Sequence, residues 1–408
     1  MLINRNIDQA LAPSNDNGIS RHQTLLTHGR IANLDAIRGF ALLGILFLNI
    51  YFMANNFYGY APHLPEIASD LTIEIVSNFL LEGRFISLFS MLFGAGLWLQ
   101  YQKTTSLDSK SDSESESESE SEHGKNRITR RLYLLIGLGV IHGVFLFSGD
   151  ILLSYGLCGL VVCRYFTLGP KQLLAKSAKF MLIAMAVIAL ISITLEDEQF
   201  YRGSDYFIEQ LALWTGTYAD QVVMQAYMIG YMLLIIPISI LWYGASLMLI
   251  GMTLMKQGYF ERGFSHKQLG LFACIGIAFA SIDSLLSLSD SAVLKEVSGI
   301  FMMLGAIPTA LIYWHIIVKI CQNNPLKLTL LQNIGRLSLS FYILQSLLGV
   351  LLLRHWMPQW QMEFDRIDYM LLAIVLGLLQ LFLAAVYLRF FSQGPLEYLM
   401  TKLTQRSQ

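Results

Sequence analysis

Uncharged apolar runs alternate along this chain with short segments crowded by charge. The runs lie near 36–54, 85–101, 132–148, 151–167, 178–195, 227–255, 270–288, 297–319, 337–354 and 369–391. A helix of roughly 20 apolar residues crosses a hydrocarbon core of about 30 Å, so each run reads as a transmembrane helix. The pattern therefore predicts an all-α, polytopic membrane helix bundle of about ten spans. The second and fourth runs are short. The sixth is long and carries Pro237 midway, which predicts a kink or a break. Pro308 interrupts the eighth in the same way, and helices broken around a site are a transporter feature.

The segments between the runs give the organisation. Residues 1–33 form a tail without an apolar core and small-residue cleavage site, so the first span reads as an uncleaved anchor. Residues 34–101 hold the first two spans and an outer loop. Residues 102–131 form a loop containing an alternating Ser/Glu tract, 111–122, too polar to bury anything and read as a disordered tether. A central bundle occupies 132–326, with an outer loop at 196–226 whose acidic and aromatic residues suit a small fold or an interfacial helix. A C-terminal two-helix region, 327–400, and a tail, 401–408, complete the chain.

Composition agrees with the pattern: 54% of residues are hydrophobic and 14% charged, with mean hydropathy +0.52. Net charge is −1, which supplies no field for nucleic acid. Charge placement adds orientation. If every Lys and Arg is assigned to its nearest loop, alternate segments hold 23 of the 28. Cytoplasmic loops are enriched in these residues, so both termini are expected in the cytoplasm. Cys158, Cys163, Cys274 and Cys321 lie in or beside apolar runs without CxxC spacing and read as small buried packing residues. No phosphate loop, HExxH, nucleophile elbow or Cys/His metal spacing is present, so no metal site is expected.

Candidate chemistry rests on polar residues in apolar settings. His142 lies about 16 Å along the helix axis from Arg131, near the expected midplane, where an ionisable group is costly and faces a bundle interior or a wet cavity. It sits within Gly139-Val-Ile-His-Gly143, a GxxxG spacing that admits a close neighbour. A satisfied packing histidine and a proton-handling, catalytic or ligand-contacting one both remain open. Asp150 reads either as the cap of the fourth helix after a left-handed Gly149 or as a charge partner. About 12 Å of straight helix separates the two, so they meet only if the helix breaks near Ser148. Asp35 and Arg38 share a face of the first helix. Asn49 and Gln345 are amides that need partners if buried. Glu82 and Arg84 precede the second helix, Asp283 and His315 lie within the seventh and eighth, and Arg336 opens the ninth. His63, in the first outer loop, reads as exposed.

Several stretches carry a resemblance: "LDAIRGFALLGILFLNI" (34–50), "FISLFSMLFGAGL" (85–97), "IHGVFLFSGDILLSYGLCGL" (141–160), "GRLSLSFYILQSLL" (335–348), "FDRIDYMLL" (364–372) and "FFSQGPLEYL" (390–399). In this order they resemble the YeiB family of bacterial inner-membrane proteins, to which the 327–400 region is then assigned. The opening D-x-x-R-G, carried by Asp35, Arg38 and Gly39, also resembles the membrane acyltransferases, which include sugar O-acyltransferases and the heparan glucosaminide acetyltransferase. The resemblance implies an inner-membrane location and movement of an acyl group from a cytoplasmic thioester, acyl-CoA being the donor it suggests, to a small-molecule or glycan acceptor. The histidine of the O-acyltransferases falls here on Asn49. The heparan enzyme has asparagine there too and uses a histidine in the following loop, for which His63 is the counterpart. In this reading His142 and Asp150 are the catalytic candidates, and Asp35, Arg38, Asn49, Arg84, Arg336 and Gln345 bind substrate. An inner-membrane small-molecule transporter or channel is the alternative.

Overall fold

The computed structural model describes residues 16–55, 59–108, 114–194, 200–289 and 291–405. Its helices are α1 (Asp16–Ala54), α2 (Ala68–Leu80), α3 (Arg84–Asp108), α4 (Glu114–Phe145), α5 (Leu152–Val162), α6 (Pro170–Thr194), α7 (Asp205–Trp214), α8 (Tyr218–Ile238), α9 (Ile240–Lys256) and α10 (Tyr259–Arg262). They continue as α11 (His266–Ser287), α12 (Ala292–Asn323), α13 (Thr329–Arg336), α14 (Ser338–Val350), α15 (Trp360–Glu363), α16 (Arg366–Tyr387) and α17 (Pro395–Gln405). A π-helical turn, Leu351–Trp356, extends α14, and no strand occurs among the described residues.

Nine stretches of the described residues are long and apolar enough to cross a membrane, and the shorter α5 and α9 are also apolar. The sixth run is broken, as Pro237 predicts. α8 stops at Ile238, and α9 continues from Ile240 after Ser239. α8 begins beside the end of α4, where Tyr218 donates to the Phe145 carbonyl at 2.7 Å. α9 ends where Lys256 donates to the Phe166 and Leu168 carbonyls, both at 2.7 Å. The two thus make one crossing, and with α5 the total is ten. Segments rich in Lys and Arg gather at one end. There Asn33 reaches the Phe260 carbonyl at 2.9 Å, the Phe264 N–H reaches His315 at 2.9 Å, and Arg336 reaches the Ser392 carbonyl at 3.2 Å.

The structure corrects five local expectations. The second span is long: it runs over 68–103, with α2 and α3 separated by a break at 81–83, because polar Glu82 and Arg84 hid its outer half from the apolar pattern. Pro308 breaks nothing. α12 continues through it from Ala292 to Asn323. The outer loop 196–226 contains α7 and yields to α8 at Tyr218, while 195–199 lie outside the described residues. Arg336 closes α13, a separate short helix, rather than opening the ninth span. α4 reaches back to Glu114, through much of the tract read as a tether, because glutamate favours helix; residues 109–113 lie outside the described residues.

Surface and interior are sorted for lipid. Leu182, Leu234, Leu285 and Phe382 are exposed, whereas Arg84, His142, Asp283, Gln345, Arg354 and Gln380 are buried. All four cysteines are free thiols; Cys158 and Cys321 are buried, but Cys274 faces outward, against the packing expectation.

Candidate functional site

A turn between α4 and α5 builds the central site. α4 ends when the N–H groups of both Leu146 and Phe147 bond the His142 carbonyl at 2.9 Å. Gly149 does not take the left-handed conformation expected of it. The chain instead folds inward, and this brings Asp150 back against His142. Asp150 Oδ1 stands 2.9 Å from His142 Nδ1, and the two side chains are 0% and 1% exposed. Asp150 Oδ2 accepts the Leu153 N–H at 2.8 Å, so the carboxylate also caps α5. Asp150 thus both caps α5 and contacts His142. The two GxxxG glycines make the geometry possible. A Cβ on Gly139 would collide with the Leu153 backbone nitrogen, and one on Gly143 would collide with Ile229 of α8.

Tyr342, on α14, completes the arrangement. Its hydroxyl accepts the Ile151 N–H at 3.1 Å and lies 3.4 Å from Asp150 Oδ1, and its ring centroid is 5.4 Å from that of His142. With Asp150 as a carboxylate, its Oδ1 accepts a hydrogen bond from the Nδ1–H, and an imidazole so held keeps its lone pair on Nε2. Nε2 is buried and has no hydrogen-bond partner. One turn along α14, Gln345 is fully buried and neither amide atom is partnered; Asn49 Nδ2, on α1, is unpartnered too.

The remaining sequence candidates fall elsewhere. Asp35 and Arg38 pair at 3.0 Å at the basic end, where Arg336 is within electrostatic reach of Asp35. α13 seats directly on this stretch, because Gly335 lies against the Asp35 carbonyl and Gly39 against that of Leu331. Arg84 stands at the break in the second span. It is fully buried; one guanidinium nitrogen donates to the Glu82 carbonyl, and Nε and Nη2 have no partner. Its neighbour Phe85 fills the space left by Gly44, midway along the first span.

The opposite end holds a second histidine–carboxylate pair. His63 is half-buried rather than exposed, and its Nε2 lies 2.8 Å from Asp365 Oδ1. Arg202 stands 3.6 Å from the same oxygen. Asp70 accepts from the Tyr60 hydroxyl and from the Arg366 N–H, and Arg366 pairs with Glu74 at 2.9 Å. Burial, then the hydrogen bond to Asp70, raises the Tyr60 hydroxyl above its ordinary pKa. One ligand atom from each of His63, Asp70 and Asp365 lies within 4.8 Å of the others, a grouping that 302 residues of separation hide from spacing rules. Arg354 was also missed. Counted as a loop cation, it is instead buried, donates to the Met53 carbonyl at 2.8 Å and lies over Trp214.

Fold and site define a polytopic α-helical membrane protein enclosing a histidine–carboxylate pair. Within that class the chain is YeiB-like. Residues 254–407 match the family model described as protein of unknown function DUF418, and residues 30–228 match the catalytic model of heparan-alpha-glucosaminide N-acetyltransferase. The chain is 28% identical to the uncharacterized protein YeiB of Escherichia coli (strain K12), over 93% of this chain and 97% of that one. It is 24% identical to the uncharacterized protein YxaH of Bacillus subtilis (strain 168), over 95% and 98%.

Proposed function

We propose that the protein is a membrane acyltransferase with His142 as general base. The observation that carries this reading is the buried Asp150–His142 pair with Nε2 unspent, inside the stretch similar to an acetyltransferase catalytic region. A base held in one tautomer by a carboxylate suits proton transfer near neutral pH. With the basic end taken as cytoplasmic, the donor is an acyl thioester arriving there and the acceptor a hydroxyl or amine. His142 Nε2 takes the acceptor's proton as its oxygen or nitrogen attacks the acyl carbon. The carbon–sulfur bond then breaks, and the proton passes to the leaving thiolate. The unpartnered amide N–H groups of Gln345 and Asn49 are the donors nearest in kind to what a developing oxyanion requires.

The test is thiol release from acetyl-CoA by purified protein given sugar and amine acceptors. Acceptor-dependent release that His142→Gln abolishes and His63→Gln leaves intact is the expected result. Loss in His63→Gln with an active His142→Gln moves the chemistry to the opposite end, and no acetyl-CoA binding or release overturns acyl transfer. The broken second span favours a transporter as the second reading, since Arg84, buried with two of its three guanidinium nitrogens unpartnered, stands where a discontinuous helix begins. Substrate uptake into proteoliposomes, lost in Arg84→Gln, would support it.

A further inference from the structure

The break at 81–83 sets a full positive charge inside the bundle with most of its donors unused. The Ser87 N–H bonds the Gly83 carbonyl at 2.9 Å as the first bond of the α3 ladder, so the N–H groups of Phe85 and Ile86 stand ahead of it. The start of α3 thus carries the partial positive charge of a helix N-terminus within the span 68–103. Arg84 adds a guanidinium at the same place. It folds back over the break to the Glu82 carbonyl, is wholly buried, and leaves Nε and Nη2 without partners. Tyr313, Asp283, Glu82 and Tyr243 lie within its electrostatic reach. The Tyr313 hydroxyl is spent on the Leu80 carbonyl at 2.8 Å, and that of Tyr243 bonds Ser87 at 3.0 Å and donates to the Met303 carbonyl at 3.1 Å. Glu82 is drawn more strongly to Arg366 than to Arg84. Asp283, on α11, differs from these: it is buried, its Oδ2 has no partner, and the Ser298 hydroxyl near it donates to the Lys295 carbonyl at 2.6 Å.

An unpaired charge is costly to bury, and here both signs are buried within reach of each other without closing into a pair. A ligand carrying both complementary charges removes both costs. Its carboxylate meets the free guanidinium N–H groups and the start of α3, and its ammonium meets Asp283 Oδ2. Broken membrane helices hold anionic substrate groups in this way. A simple carboxylate would add a second negative charge beside Asp283, and a simple amine a second positive charge beside Arg84, whereas a zwitterion leaves the site neutral. Glu82 and Gly83 are half-buried, and Glu82 is within electrostatic reach of Glu74 and Arg366, so the break is approached from the end opposite the basic one. We propose that the break between α2 and α3 binds a free amino acid as its zwitterion, carboxylate on Arg84 and ammonium on Asp283. The assignment uses none of the His142 chemistry; it names the ligand class for the transporter reading without resting on uptake.

The experiment reads the thermal midpoint of full-length protein in detergent with each free proteinogenic L-amino acid in turn, and then with the desamino acid and the methyl ester of any that bind. A ligand that binds only the folded state raises the midpoint. At least one amino acid is expected to raise it by several degrees, and its desamino acid and methyl ester, each keeping one charge of the two, to raise it far less. Arg84→Gln should abolish the gain, and Asp283→Asn should reduce it to that of the desamino acid; Lys267→Gln, a charge change outside the site, should keep it. The comparison of ligands on the wild type reads the site even where a variant does not fold. No gain from any amino acid overturns the proposal, as does an equal gain from the desamino acid or the ester, or a gain that survives both Arg84→Gln and Asp283→Asn. An amino acid that binds by these criteria but is not taken up into proteoliposomes upholds the site and removes only the transporter reading.

Discussion

Asp150 divides its two oxygens between two tasks, one holding the His142 ring and one capping α5, and this division makes the residue testable. In Asp150→Asn the amide oxygen still serves the Leu153 N–H, so the cap persists. The amide NH₂ then faces Nδ1 and turns the ring to the tautomer with its proton on Nε2, where it is no longer a base. The expected outcome is a loss of acyl transfer of roughly 10²–10⁴-fold with a change in stability of about 1 kcal/mol or less. Parallel measurement of turnover and chemical denaturation checks it; full activity would make Asp150 a cap alone. The identity of both residues was legible in the sequence, because a histidine and an aspartate are conspicuous in apolar runs. Their contact was not, since it depends on where α4 ends and on Gly139 admitting the returning turn. Tyr342 and Asp365 contribute from 192 and 302 residues away, which no local spacing encodes.

At the level of elements, apolar periodicity revealed the spans but not how they break. Pro237 lies at the end of α8, whereas Pro308 stays within α12. The break at 81–83 has no proline at all. Helix contacts depend instead on glycine, and here the chain gives a contrast. Gly94 of α3 lies against the Met248 carbonyl, and Gly251 of α9 lies reciprocally against that of Met91. Gly96 and Gly137 have nothing within 4 Å of an added Cβ. Gly251→Ala is therefore expected to destabilise by about 1–3 kcal/mol through overpacking. Gly96→Ala and Gly137→Ala should be neutral or stabilise by up to about 1 kcal/mol through helix propensity. Thermal midpoints in one detergent decide the order, and equal losses at all three positions would show that α3 and α9 do not pack through these glycines.

For the whole molecule, the sidedness of the chemistry follows from the path of the chain. Ten crossings return the C-terminal tail to the side from which the first span leaves, and the structure brings the start of the first span, the α10 segment and the last turns of α12 together at that basic end. Positive-inside asymmetry makes this end the one expected in the cytoplasm. Arg202 belongs to the other end: it reaches the Met362 carbonyl at 3.0 Å beside the His63 pair, ahead of α8. The path also shows why α8 and α9 count as one crossing despite being two helices, since α8 starts at Phe145 and α9 finishes at Phe166 and Leu168. Were they two separate crossings, the chain would cross eleven times and its termini would face opposite sides. A reporter fused after Gln408 is therefore expected to be active only in the cytoplasm and one inserted after Gly203 only outside it. Activity of both on one side would overturn the ten-crossing path, and with it the assignment of acyl donor and acceptor to opposite faces of the bundle.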